Sequence, residues 1–371
     1  MPLGCLQRLA PFATAFLFLA AATDFRSPAQ ADDPAPAYAA HEAAVLNRIF
    51  ANWKARHDRV RSLHFVYDSR TTYKKGSPDP LSPRVTPLEH DEVYDQFGAQ
   101  LWMEGDDRVC WIETPKFKLP QAMRTDVSRV TFRSAIVGKT AWWYDTGPSY
   151  ETGGAPSPAV PPHALLYPAG AQGRMFPDPQ LQALLLTFRP EHSAVVTWRK
   201  DQCRLVSEHA AVDNGQYVEF QRVVPREGRF EPRREEACWV SPGRDDVVVH
   251  WRIEMPGLRL PPAPTCVGTI KYKKDKTYDW IPSEWTCEYV GRDVSEFKVT
   301  SYAINEKIDA SVFSQEVPPG TPVGDQRSRP ARYYIVQQDG SKRTISSAEY
   351  IRLIEAPVRG KKQAAAKGQA K

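Results

Sequence analysis

The sequence predicts a mainly β protein with some helix: one large curved antiparallel sheet, an open half-barrel, with an N-terminal helix, a lid or plug helix, and a small C-terminal β-hairpin followed by a helix. Three observations predict it. Runs of alternating apolar and polar residues, some near ten residues long, recur between short polar turns. Helical periodicity is confined to three stretches, Ala39 to Leu63, Asp178 to Phe188 and Ser346 to about Glu355. Trp102, Trp111, Trp142, Trp143, Trp198, Trp239, Trp251 and Trp285 all fall in the alternating runs, as suits a pleated, half-buried surface. A two-sheet sandwich is the alternative, less natural for strands this long.

The first thirty residues read as an export leader. Arg8 supplies the positive start, Leu9 to Ala22 the apolar run, and Ala29-Gln30-Ala31 the small-x-small cleavage site. Cleavage near Ala31 would release the chain into the periplasm or beyond, with no transmembrane span in the mature form; an uncleaved anchor is the other reading. Cys5 precedes the apolar run, so it is not a lipidated cysteine. In the first helix Val45, Leu46, Ile49, Phe50, Trp53, Val60 and Leu63 share a face, with Arg48, Lys54, Arg56 and Arg59 on the wet side. His64 to Tyr73 follows as a strand, and Ser77 to Pro87 as a proline-rich loop. Tyr94 to Glu104 and Arg108 to Glu113 form a hairpin about Gly105-Asp106-Asp107. Leu101 and Met103 point inward in one register, Trp102 in the other. Asp126 to Thr146 is the strongest hairpin and the one the sheet is expected to grow from. Val130, Phe132 and Ile136 alternate, Gly138-Lys139 turns, and Thr140 to Tyr144 returns. Trp142 and Trp143, being neighbours on a strand, belong to opposite faces.

Gly147 to Pro179 holds eight prolines and predicts little regular structure. Asp178-Pro179 opens a short helix with an apolar stripe of Leu181, Leu184, Leu185 and Phe188, stopped by Pro190. Such a helix either lids a hollow or plugs ordinary core, and both readings stand. Strands resume at Ala194 to Arg199, Arg204 to Ala211, Gln216 to Val224, Glu235 to Val240, Val247 to Ile253, Cys266 to Lys273, Trp285 to Val290 and Val294 to Ala303. In one of them Val247, Val249, Trp251 and Ile253 make an apolar face opposite His250 and Arg252. Beyond Phe313, Pro318 to Arg332 reads as loop. Tyr333 to Gln337 and Arg343 to Ile345 make a small hairpin, and Ser346-Ser347-Ala348-Glu349 is a capping box. The chain therefore divides into a leader (1–31), a half-barrel domain (32–317), a hairpin-helix appendage (318–356) and a basic tail (357–371).

Formal net charge is +5. Arg359, Lys361, Lys362, Lys367 and Lys371 lie in the tail, which has no acid, so the body is close to neutral. That excludes a nucleic-acid-binding body; the tail reads as a solvated end, or as a contact for an anionic lipid surface. Five cysteines follow the leader, an odd number. Cys266 and Cys287 would face each other across the Lys274–Asp279 turn if that hairpin has no bulge, as a disulfide or as two buried thiols.

Catalytic motifs fail on inspection. His41-Glu42-Ala43-Ala44-Val45 lacks the second imidazole of a zinc-protease helix. Gly138-Lys139-Thr140 lacks the opening glycine and the helix of a phosphate loop. There is no G-x-S-x-G, and the eight histidines have no ligand spacing. Asp106-Asp107 and Asp245-Asp246 sit in turns, where Asp is at home without catalysis. No enzyme, metal or cofactor is expected.

The order of exported amphipathic helix, first long strand, Val-Gly-Lys-Thr-Ala-Trp-Trp-Tyr-Asp hairpin (137–145), apolar helix, and Cys-Trp-Val-Ser-Pro (238–242) before more strands resembles the periplasmic outer-membrane lipoprotein carrier superfamily (LolA/LolB-like). The likeness spans Ala39 to Phe313. Trp53-Lys54-Ala55-Arg56 and Gly320-Thr321-Pro322-Val323-Gly324-Asp325 are similar to exported bacterial members. The resemblance implies an open half-barrel whose helical lid covers an apolar cavity for acyl chains. The expected role is then a non-enzymatic exported binding or carrier protein for a lipid or a lipidated protein. Its cavity candidates are Trp102, Val130, Phe132, Ile136, Trp142, Leu181, Leu184, Leu185, Phe188, Val249 and Trp251. A cell-envelope interaction or scaffold protein with a solid core and no ligand, whose tail and C-terminal module meet an envelope protein partner, is the alternative, and a carbohydrate-active enzyme a distant third.

Overall fold

The computed structural model describes residues 36–77, 87–118, 132–145, 151–152, 155–156, 162–168, 178–191, 198–212, 215–224, 234–254, 265–314 and 316–354. The leader, the basic tail, the proline loop at 78–86, Val130 and residues 194–197 of the expected Ala194 strand lie outside them.

Helix α1 (Pro36–Arg59) stops four residues short of the expected end, and Leu63 already belongs to β1 (Ser62–Tyr73). There follow β2 (Glu92–Glu104), β3 (Arg108–Lys118), β4 (Phe132–Val137), β5 (Thr140–Asp145), the two-residue pair β6 (Glu151–Thr152) and β7 (Ala155–Pro156), and β8 (His163–Pro168). After α2 (Asp178–Phe188) come β9 (Cys203–Val212), β10 (Gly215–Val224), β11 (Arg234–Ser241), β12 (Val247–Glu254), β13 (Thr265–Asp275), β14 (Asp279–Tyr289) and β15 (Asp293–Ile304). The chain ends with β16 (Pro322–Asp325), β17 (Arg332–Val336), β18 (Lys342–Ile345) and a helix α3 over 347–354. Ser346 Oγ accepts from the Glu349 amide at 3.1 Å, the expected N-cap of α3.

All strands but β6 and β7 join one open sheet of sixteen, in the order β18-β17-β16-β8-β5-β4-β3-β2-β1-β15-β14-β13-β12-β11-β10-β9. Every pair is antiparallel except β8 with β16. The middle of the sheet is β1, hydrogen-bonded to β2 on one side and to β15 on the other, not the 126–146 hairpin. Two expected irregular stretches contain strands. His163–Pro168 enters the sheet beside β5, its one proline, Pro168, at the strand's end, where a missing N–H is tolerated. Pro322–Asp325 pairs with it, so the C-terminal hairpin extends the main sheet.

Side chains divide by face. Phe65, Tyr67, Leu101, Met103, Trp111, Ile136, Trp143, Phe220, Trp251, Trp285 and Phe297 share the principal core with both helices. Cys110, Ala135, Trp142, Leu166, Phe313 and Val323 form a second cluster on the other face, and Ala237, Trp239, Val247 and Val249 a third. Trp142 and Trp143 do point opposite ways. The expected single face of Val247, Val249, Trp251 and Ile253 is broken. The β11–β12 register shifts between Trp239 and Val240, so Val248 and Trp251 join the helix side while Val247 and Val249 face out. An extra residue in a ladder reverses the parity of everything beyond it.

Candidate functional site

The helix side of the sheet is where the apolar candidates converge. Helix α2 is short, and Leu181, Ala183, Leu184, Leu185, Leu186 and Phe188 are all buried, as are Gln182 and Thr187. A helix without a wet side is core material, not a surface element. It packs against β12, β13, β14 and α1. The Phe188 ring lies 5.5 Å from that of Phe65, and Trp285 stacks on Phe297 at 5.0 Å beside Tyr67. Trp111 Nε1 donates to the Tyr67 hydroxyl at 2.8 Å, and burial pushes that phenol's pKa up.

The end of α2 carries the feature that sequence reasoning missed. Arg189 is fully buried, and its guanidinium is spread over main-chain carbonyls. It donates to Val60 O, to Phe188 O at 2.9 Å, to Gly105 O at 3.4 Å, and to His57 O and Arg61 O at 3.5 Å. One side chain thus ties the plug helix to the end of α1 and to the β2–β3 turn. The nearest carboxylate oxygen, on half-exposed Asp106, is 3.9 Å from Nε. Burial, only partly offset by Asp106, holds the Arg189 pKa down to about 10. A charge is therefore carried inside at neutral pH, its desolvation offset by the main-chain dipoles it donates to.

A second tie is neutral. The hydroxyls of Thr187 and Tyr272 are 2.9 Å apart, with Ala183 O 2.8 Å from the first and Val248 O 2.7 Å from the second. Further polar atoms in this core, among them Gln182 Oε1, Trp198 Nε1, Trp251 Nε1 and Trp285 Nε1, find no hydrogen-bond partner among the described residues. Each such orphan costs about 1–3 kcal/mol.

Not every expected residue belongs here. Ile136, Leu181, Leu184, Leu185, Phe188 and Trp251 lie in the helix-side core. Phe132 opens β4 opposite Asp145. Trp102, Trp142 and Val249 are placed on the other side of the sheet. Trp102 stacks on His64 at 4.5 Å and lines a slot of about 130 Å³ with Ser62, Glu306, Ile308 and Val312. Leu101 and Met103 are the inward pair of β2. No group of three or more His, Cys, Asp or Glu is placed to hold a metal ion among the described residues. Asp246 of the turn pair is buried, as the anchor of α1: Asn52 Nδ2 donates to it at 2.7 Å, Arg48 at 3.3 Å, and Trp53 Nε1 donates to its carbonyl at 2.8 Å. Cys266 and Cys287 are not directly opposed. The turn closes on Asp275 with Asp279, and a bulge at Lys271/Tyr272 adds a second residue of offset, so Cys266 pairs with Tyr289 and Cys287 with Gly268, leaving the thiols on a diagonal.

No protein-family model matches the sequence, nor does any curated protein. Among solved structures, an outer-membrane lipoprotein-sorting protein domain from Vibrio parahaemolyticus aligns over 75% of this chain and 97% of its own, at 10% identity and a TM-score of 0.40. A DUF1329 family protein from Desulfovibrio piger aligns over 73% and 96%, at 9% identity and 0.39. A LolA superfamily protein from Nitrosomonas europaea aligns over 71% and 97%, at 11% identity and 0.38. Likeness at this level says nothing of ligand or partner. Among the described residues no helix is long and apolar enough to cross a membrane.

Proposed function

We propose that the protein is a non-enzymatic carrier or binding protein of the bacterial envelope that takes an apolar chain onto the helix side of its sheet. This structure is then the closed form, with α2 in the guest's place. The observation that carries the reading is α2 itself. It is a leucine-rich body buried on all sides, whose side-chain hydrogen bonds to other elements, among the described residues, are the Thr187–Tyr272 contact and the Arg189 fan. Burying each Leu or Phe of α2 favours closure by roughly 1.5–3 kcal/mol. Desolvation of the Arg189 charge and the unpaired atoms of the same core offset part of that gain, while the carbonyl hydrogen bonds of Arg189 leave it a net tie on the closed form. An alkyl chain that fills the same volume without those polar burdens competes with α2 for the site. Its apparent affinity is scaled by the fraction of molecules with α2 released. Export through the leader would place this exchange where lipids and lipidated proteins lie.

The test is uptake of dodecanol, read by native mass spectrometry of protein prepared without detergent, in the natural chain and in Arg189→Ala. Adducts are expected with both, and affinity about tenfold higher in the variant, where closure is weakened by roughly 1.4 kcal/mol. If neither binds, the same full burial of α2 supports the second reading, a scaffold with a solid core.

A further inference from the structure

The sheet parts between β12 and β13. Their pairing runs from Glu254 with Thr265 to His250 with Thr269 and stops there. Beyond that point Val247 and Val248 of β12 pair with β11, Val249 being the residue skipped at the register shift, and β13 continues to Asp275 bonded to β14. Tyr272 bridges the opening, with its hydroxyl at Val248 O on one strand and Thr187 of α2 on the helix side. On the outer face lies a groove of about 340 Å³, lined by Tyr217, Arg244, Val249, His250, Lys271 and Tyr272, with Thr269 and Ile270 beneath. Ile270 packs in the helix-side core and Tyr217 and Val249 in the outer one, while Tyr272 packs against both. Tyr272 is therefore the wall between the groove and the end of α2, which its hydroxyl meets at Thr187.

Its outer mouth is cationic. Arg244, on the β11–β12 turn, stacks over Trp280 at 5.1 Å and has no carboxylate partner among the described residues. Lys274 lies over the same ring at 5.9 Å, and Lys271 contacts Glu284 at 3.2 Å. The side chains that face the mouth thus present more positive than negative charge, and Ile270 lines the groove beside Thr269, whose hydroxyl meets His250 Nδ1 at 3.0 Å.

We propose that this gap holds the head of an anionic amphiphile. The charged head sits against Arg244 and Lys271, and the attached alkyl chain passes Ile270 and Tyr272 into the volume that Thr187 and Phe188 now occupy. The proposal rests on the apolar-chain reading above and names the ligand class for it. Arg244 donates to the anion in the planar, forked manner that suits phosphate or carboxylate. Entry of the chain displaces Tyr272 from Thr187, which breaks one of the two ties of α2, so binding of the head and release of the plug are the same event.

Three probes separate the outcomes: dodecyl phosphate, dodecanol and inorganic phosphate, each titrated below any micelle-forming concentration at low salt. Dodecyl phosphate is expected to bind about tenfold more tightly than dodecanol, the worth of one charge-assisted contact. Arg244→Gln should bring it down to the affinity of dodecanol, which itself stays unchanged. Equal affinity of the two amphiphiles in the natural chain, or no effect of Arg244→Gln, overturns the head site and leaves the apolar-chain reading standing. Inorganic phosphate binding as tightly as dodecyl phosphate overturns the amphiphile in favour of a free anion. Absence of binding by either amphiphile overturns both readings.

A second inference stands on a separate observation. The Cys266 and Cys287 sulfurs lie 2.8 Å apart in the principal core, both nearly inaccessible, on the two adjacent strands against which α2 packs. We infer that they become a disulfide when the exported chain folds. A protein disulfide of the thiol–disulfide oxidoreductase class is the oxidant. One thiolate attacks it to give a mixed disulfide, the second thiolate displaces the carrier, and the carrier leaves as a dithiol with the two electrons. Alkylation in denaturant of protein exported with its own leader should block Cys110, Cys203 and Cys238, and should block Cys266 and Cys287 only after reduction. Alkylation of all five without reductant overturns it.

Discussion

Helices α1 and α2 cover the same side of one sheet and are held there in opposite ways. α1 is amphipathic and is fastened by charge and hydrogen bond to three separate turns or edges. Glu42 accepts from the Leu205 amide of the edge strand at 2.7 Å, Asp246 takes Arg48, Asn52 and Trp53, and Arg59 meets Asp279 at 2.7 Å. Asp245 and Asp246 both adopt left-handed backbone (φ 53° each), a conformation Asp tolerates better than most residues, to bring that turn up to the helix. α2 is apolar all round and is fastened at one end only, by Arg189 and Thr187. Grease holds a helix in place without specifying which grease; polar contacts specify the partner. The contrast makes α1 a fixed part of the frame and α2 a replaceable filling.

That contrast can be broken from either side. The largest effect is expected at the frame: Asp246→Ala removes the charged acceptor of Asn52 and Arg48 and should lower unfolding stability by about 3 kcal/mol. Fluorescence and circular dichroism should report one coincident urea transition; a loss confined to α1 would show that the frame is not cooperative. A smaller global effect is expected at the plug. Arg189→Ala should cost about 1.4 kcal/mol in global stability, less than at the frame because the lost hydrogen bonds are partly offset by a buried charge no longer carried. It should nevertheless speed hydrogen exchange of the α2 amides about tenfold while leaving α1 unchanged. Equal acceleration in both helices would mean that they open together and that α2 is frame after all. The least change is expected from Thr187→Val, which keeps the shape and removes the contact with Tyr272. A loss of about 0.5–1 kcal/mol, read by exchange in α2, fits one neutral hydrogen bond; no change there would leave Arg189 as the sole tie.

Of this site, the apolar half was legible and the polar half was not. Leu181, Leu184, Leu185 and Phe188 announce themselves by spacing, and Leu186, off their stripe, already hints that the helix has no wet side. Arg189 announces nothing, because a single arginine before a proline has no period. The signal that could have found it is indirect: the first charged residue after a fully apolar helix begins inside the protein and must find partners there. Asp246 was read as an ordinary turn residue for the same reason, since its partners Arg48 and Asn52 lie nearly two hundred positions earlier in the chain. Val249 and Trp102 were set on the wrong footing by parity. One shifted register, or an undecided one, moves a strand residue to the other face with no trace in local composition.

What the amino-acid order settled by itself is local: alternation makes strands, 3.6-residue spacing makes α1 and α2, Gly138 and the Asp-rich turns reverse the chain, and the result is an open antiparallel sheet with helices on it. Those features depend on neighbours within a few residues, so composition and spacing carry them. Only the tertiary structure decided which strand lies in the middle, that β8 and β16 meet in parallel, that β12 and β13 part company, and that a buried arginine ties down the plug. Each of these depends on groups far apart in the chain whose pairing is chosen by the burial and hydrogen-bonding of the whole sheet, a choice that no single stretch of sequence contains.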